Sequence, residues 1–144
     1  MFAPRPTSCP PGVYAAGCRN SDAAFIPYES SYSSDLGRIA RTVARSTAPF
    51  FTIVGRSSFP SVGQVVEKVG VLSGWTSATV RRTDVVAYIS DQPGGGVALD
   101  VGLPGQVLAE IPSSEAEARS GDSGSPVFRL SGSGVTLTGV LHSL

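Results

Sequence analysis

The chain has 144 residues, enough for one domain or for one and a half small β-barrels. Eleven basic residues balance eleven acidic ones and charged residues make up only 15% of the chain, which leaves no basic footprint for nucleic acid or for an anionic membrane surface. No apolar run approaches a membrane span, Met1-Phe2-Ala3-Pro4-Arg5-Pro6 lacks the apolar middle of a signal peptide, and 17 glycines and 11 prolines beside a single lysine, Lys68, point to a turn-rich, all-β extracellular chain.

Taken in order, the first feature is the pair Cys9 and Cys18, which encloses a turn-rich Pro10-Pro11-Gly12-Val13-Tyr14-Ala15-Ala16-Gly17 whose ends readily meet. A local disulfide is the natural reading, and two free thiols in a reducing compartment are the alternative. The spacing fits no metal motif and no histidine lies near, so neither a metal nor another cofactor is expected. Asp22 then precedes Ala23-Ala24-Phe25-Ile26-Pro27-Tyr28, a short strand, and by itself reads as a turn or strand-capping aspartate. Residues 29–49 are rich in Ser and Thr, with Arg38, Arg41 and Arg45 as a solvated face. Leu36, Ile39 and Val43 are spaced for an amphipathic turn or two, capped by Ser34 or Asp35.

From Phe50 the pattern is β. Strands are expected at Phe50 to Gly55, Val62 to Val71, Trp75 to Ile89 with a break over Arg81-Arg82-Thr83-Asp84, Val97 to Leu103, and Gln106 to Ile111. With turn signals such as Gln92-Pro93-Gly94-Gly95-Gly96 between them, they read as an antiparallel barrel or sandwich. Ser113, Ser114, Glu115 and Glu117 form an acidic loop. Next comes Gly121-Asp122-Ser123-Gly124-Ser125-Pro126-Val127-Phe128. A serine hydroxyl becomes a nucleophile only with a base to take its proton and N–H groups to hold the developing oxyanion. Glycines on either side of Ser123 allow positive φ and the close approach of a carbonyl; the plainer reading is a turn that feeds a strand. The chain's one histidine, His142, stands near the end.

The run around Ser123 resembles the nucleophile segment of the chymotrypsin-like serine peptidases, and within them the secreted bacterial streptogrisin-like branch. The likeness covers residues 18–144 and is strongest at 19–28, 62–80 and 119–141. It implies an acyl-enzyme endopeptidase acting on a peptide or protein substrate, outside the cell. Ser123 would be the nucleophile, and the N–H groups of Gly121 and Ser123 the oxyanion hole. Asp22, in a Ser-Asp-Ala-Ala segment after Cys18, would orient the base. Residues 1–48 would be the remnant of a first barrel and an extended inter-barrel linker, and residues 49–144 a second antiparallel Greek-key barrel, incomplete at its C-terminal end. Glu117 lies where some members carry a selecting carboxylate.

The departures matter as much. Val71 stands where the branch has an arginine that partners the acidic residue before the nucleophile, so Asp122 needs another cation. Arg119 is the nearest, with Arg81 and Arg82 next. No histidine precedes Asp22, and the chain stops at Val140-Leu141-His142-Ser143-Leu144 where the family continues. The expectation is therefore a fragment without the histidine-bearing part, with Met1 an internal or artificial start and little hydrolysis by this chain alone. Asp22 and Ser123 should then face a gap of one imidazole ring. His142 is either a surrogate base or a solvent-exposed terminal histidine. Phe25, Ile26 and Tyr28, without their packing strands, would favour self-association. The other reading is a non-catalytic β-barrel scaffold or binding module derived from a peptidase.

Overall fold

The computed structural model describes residues 8–13, 17–18, 29, 31, 36–41, 49–57, 59–91, 99–115 and 117–142. Segments rich in β-branched and aromatic residues lie between Gly and Pro punctuation and become strands. They are β1 (Gly17–Cys18), β2 (Arg38–Ala40), β3 (Phe50–Arg56), β4 (Val65–Gly70), β5 (Gly74–Asp91), β6 (Leu99–Glu110), β7 (Pro126–Ser131) and β8 (Gly134–Val140). The described residues contain no helix and are all-β.

The strands join in one sheet in the order β1-β6-β5-β4-β7-β8-β3-β2. Neighbours from β6 through to β8 are antiparallel, but β3 runs parallel to β8 and β1 parallel to β6. The sheet is therefore mixed. Among the described residues its outer strands β1 and β2 do not pair with one another, so the sheet is open and mixed, where the strand spacing suggests an antiparallel barrel or sandwich and the resemblance a closed barrel. β1 and β2, from the N-terminal third, extend the same sheet by pairing with β6 and β3.

Two expected strand ends turn out to be bulges. β5 passes through Arg81-Arg82-Thr83-Asp84 without stopping, because its register against β6 shifts on either side of Arg82 and Asp84 takes a positive φ of 56°. Opposite, β6 continues through Pro104-Gly105, where Ala87 pairs with Leu103 and Val85 with Gln106. The extra residue on β6 absorbs a proline that has no N–H to give and a glycine at φ 73°. Residues 36–41 form a turn and the extended β2, in line with an extended segment rather than the amphipathic helical turn that their spacing allows; most of that segment, Asp22 and the edge expected at Phe25, Ile26 and Tyr28 lie outside the described residues.

Cys9 and Cys18 are disulfide-bonded with their Cα atoms 4.9 Å apart, well within bridging range. Cys18 is buried and opposes Gly102 of β6, so the bridge ties the N-terminal loop to the sheet.

One side of the sheet carries the core of Ile39, Phe51, Val69, Phe128 and Val135, with Ile53, Trp75 and Leu137 packed on it. Phe51 meets Trp75 edge-on at 4.8 Å and Phe128 at 5.1 Å between ring centres, and the Arg41 guanidinium lies over both Phe51 and Trp75. A cleft of about 540 Å³, walled among others by Val66, Leu103, Val127, Thr138 and His142, opens elsewhere on the molecule. β4, between β5 and β7, is buried along nearly its whole length.

Candidate functional site

The β4–β5 turn and residues 119–125 meet around one carboxylate. Asp122 is wholly buried. Its Oδ1 accepts from the Leu72 N–H at 2.9 Å and the Ser73 N–H at 3.3 Å. Its Oδ2 accepts from the Ser73 hydroxyl at 2.5 Å and the Arg119 N–H at 3.0 Å. Lys68 Nζ stands 3.6 Å from Oδ2 and also donates to Ser73 Oγ. Burial by itself pushes the Asp122 carboxyl up; the Ser73 hydroxyl and the N–H groups of Arg119, Leu72 and Ser73 outweigh it and hold the group far below the usual carboxylate range.

The cation beside Asp122 is therefore Lys68, and not the side chain of Arg119, Arg81 or Arg82. Arg119 contributes its backbone N–H, Arg81 is engaged by Glu110 at the surface, and Val71 is 79% exposed. Lys68 comes from β4, opposite Thr76 of β5 and Val127 of β7. Its signal in the sequence was its place: a lone lysine inside an apolar strand is rarely buried unless paired. Glu67, its neighbour, was missed too; it is buried and accepts from Trp75 Nε1 at 2.9 Å and Ser77 Oγ at 2.7 Å.

Ser73 and Lys68 have the composition of a nucleophile and base. Their arrangement opposes that use: Lys68 donates to the hydroxyl, and the hydroxyl donates onward to Asp122. The cluster joins β4, the β4–β5 turn and the loop that carries Ser123.

The loop itself is two successive turns. The Asp122 N–H donates to Arg119 O at 2.8 Å and the Ser125 N–H to Asp122 O at 3.0 Å, with Ser125 Oγ on the same Asp122 carbonyl. Gly121 at φ 111° and Gly124 at φ 88° give the backbone the reversals that L side chains resist. The Gly124 N–H donates to Leu141 O and the Leu141 N–H to Ser125 O, both at 2.8 Å, which fastens the loop beyond the end of β8. As a result Asp122 points inward and Ser123, beside it, is exposed.

Of the other expected site residues, Gly121 is exposed and Leu72 lies over it. Asp22 lies outside the described residues, so its distance from Ser123 is not part of the observed geometry. His142 is half-buried on the cleft wall rather than solvent-exposed. Glu117 is exposed, while Glu115 in the same loop is half-buried and accepts the Ser77 N–H. Among the described residues no three or more His, Cys, Asp and Glu side chains group as a metal site.

No family model, no curated protein and no solved structure matches the chain.

Proposed function

We propose that residues 119–128 are the nucleophile loop of a secreted, trypsin-like serine peptidase domain. The observation that supports this reading is the division of labour between adjacent residues: Asp122 is anchored inside while Ser123 is presented outside between glycines of positive φ. In such a site Ser123 Oγ attacks a peptide carbonyl, its proton passes to a base, and the N–H groups of Gly121 and Ser123 receive the oxyanion. Asp22 is the residue assigned to orient that base, and the reading takes β3 to β8, an open mixed sheet here, as the counterpart of the second barrel of the two-barrel enzymes. The Cys9–Cys18 disulfide accords with an oxidising, extracellular location.

In this reading the chain lacks its base. Its one histidine is His142, and without an imidazole the Ser123 hydroxyl is an ordinary alcohol. Fluorophosphonate labelling with and without added imidazole tests the assignment. Slow labelling that imidazole accelerates, and that Ser123→Ala abolishes, is the expected result. Labelling indifferent to imidazole and to Ser123→Ala would overturn the peptidase reading. The second reading, a non-catalytic binding module, draws on the apolar cleft with His142 on its wall, and predicts that second outcome.

A further inference from the structure

The Lys68–Ser73–Asp122 cluster spans three parts of the chain: the middle of β4, the β4–β5 turn and the loop that carries Ser123. The side chains of Lys68 and Asp122 are 6% and 0% exposed, and Ser73 is half-buried between them. A buried carboxylate that loses its partners is costly, and the cost falls on whichever element can move to rehydrate it. β4 cannot move, because it is paired on both sides by β5 and β7. Residues 119–125 lie in turns outside the strands and can shift more readily: the Asp122 side chain and the turn and Leu141 hydrogen bonds fasten them, and Ser123 has a further interaction of its own. The loop's position is thus the soft coordinate.

We propose that Lys68 is the positioning residue for Ser123, acting through Ser73 and Asp122: it locks the loop so that the carboxylate stays inside and the adjacent hydroxyl outside. Lys68 lies on β4, three residues before the exposed Val71, and its long side chain carries a positive charge to within 3.6 Å of Asp122. Ser73 bridges the 3.6 Å between ammonium and carboxylate and leaves neither hydroxyl proton nor ammonium without an acceptor. The functional meaning of the lock rests on the reading of Ser123 as a nucleophile, but the lock itself does not.

Amide hydrogen exchange on the full chain tests it. The reporters are the Asp122, Gly124 and Ser125 amides in the loop, and the Val80 amide, bonded to Gln64 O, as a reference in the sheet. Lys68→Met should lower protection of the loop amides by about tenfold or more with the reference little changed, and Lys68→Arg should restore most of it. Equal loss at loop and reference, no loss, or no recovery with arginine would overturn the proposal. If Lys68→Met does not fold, Ser73→Ala decides: loss confined to the loop supports the lock, and any other pattern sinks it. Imidazole-dependent labelling of Ser123 is scored separately, so a failed nucleophile and a failed lock are distinguishable.

Discussion

Gly70 and Asp122 approach so closely that a β-carbon on Gly70 would stand 2.5 Å from Asp122 Cγ and 3.0 Å from its Oδ2. Gly70 ends β4 and faces Gly74 across the turn, so the backbone there has no room to retreat. Gly70→Ala must displace the carboxylate from the Leu72, Ser73 and Arg119 donors. The expected loss is roughly 3 kcal/mol, overpacking and a misplaced buried charge together. Urea unfolding followed by Trp75 fluorescence measures it, and a loss under about 1 kcal/mol would mean that the loop shifts without strain.

The pH dependence follows from the same carboxylate. Because the folded state holds the Asp122 carboxyl below its ordinary value, its contribution is complete above the unfolded aspartate value of about 3.9 and drains away as the pH falls through the lower folded value. Stability should therefore decline in acid, and Asp122→Asn should flatten that decline while lowering neutral-pH stability by about 3 kcal/mol, the cost of leaving Lys68 buried without its carboxylate. An Asp122→Asn protein with the parent's acid limb would place the acid lability in other groups.

Bond length alone would rank the ion pairs wrongly. Arg81–Glu110 is the shorter at 2.6 Å, but its side chains are 57% and 63% exposed. Water and salt screen it, so Glu110→Ala should change stability by no more than about 0.5 kcal/mol. Thermal unfolding of Glu110→Ala beside Lys68→Met makes the comparison, and a larger effect at Glu110 would reverse the ranking.

The all-β character, the start of β3 at Phe50 and the disulfide were legible in the sequence because each depends on local composition, and the resemblance around Ser123 pointed to a cation beside Asp122. The identity of that cation was not legible. Lys68 reaches Asp122 only once β4 is registered against β5, with Lys68 opposite Thr76 and Gly70 opposite Gly74, and register is a property of two strands. The parallel pairings of β3 with β8 and of β1 with β6 were hidden for a related reason: alternation marks a strand's faces and leaves its partner open. Turn-forming residues inside β5 and β6 looked like strand ends because bulges use the same chemistry as turns.

Reducing the Cys9–Cys18 bond should cost about 2–3 kcal/mol for a loop this short. Cys18 opposes Gly102, so the effect should reach β6 as a loss of exchange protection near that residue. Paired Cys9→Ser and Cys18→Ser substitutions, compared with reduced parent by thermal unfolding, should agree with each other. An unchanged midpoint would show that the N-terminal loop contributes nothing to the sheet.

His142 decides whether the chain carries a base of its own. Leu141, just before it, is bonded through both its N–H and its C=O to the serine loop, which brings residue 142 near Ser123 in the chain's path. The imidazole itself is half-buried and contributes to the cleft wall with Val127, Thr138 and Leu141. A general base must reach the hydroxyl it deprotonates. His142→Ala should therefore leave the slow labelling of Ser123 within about twofold of the parent, since a working base contributes at least about a hundredfold. Its cost should appear instead in stability, about 1 kcal/mol for thinning a partly apolar wall. If labelling without imidazole falls by about tenfold or more in His142→Ala while the fold persists, the ring swings out of the cleft to serve Ser123, and the base is His142.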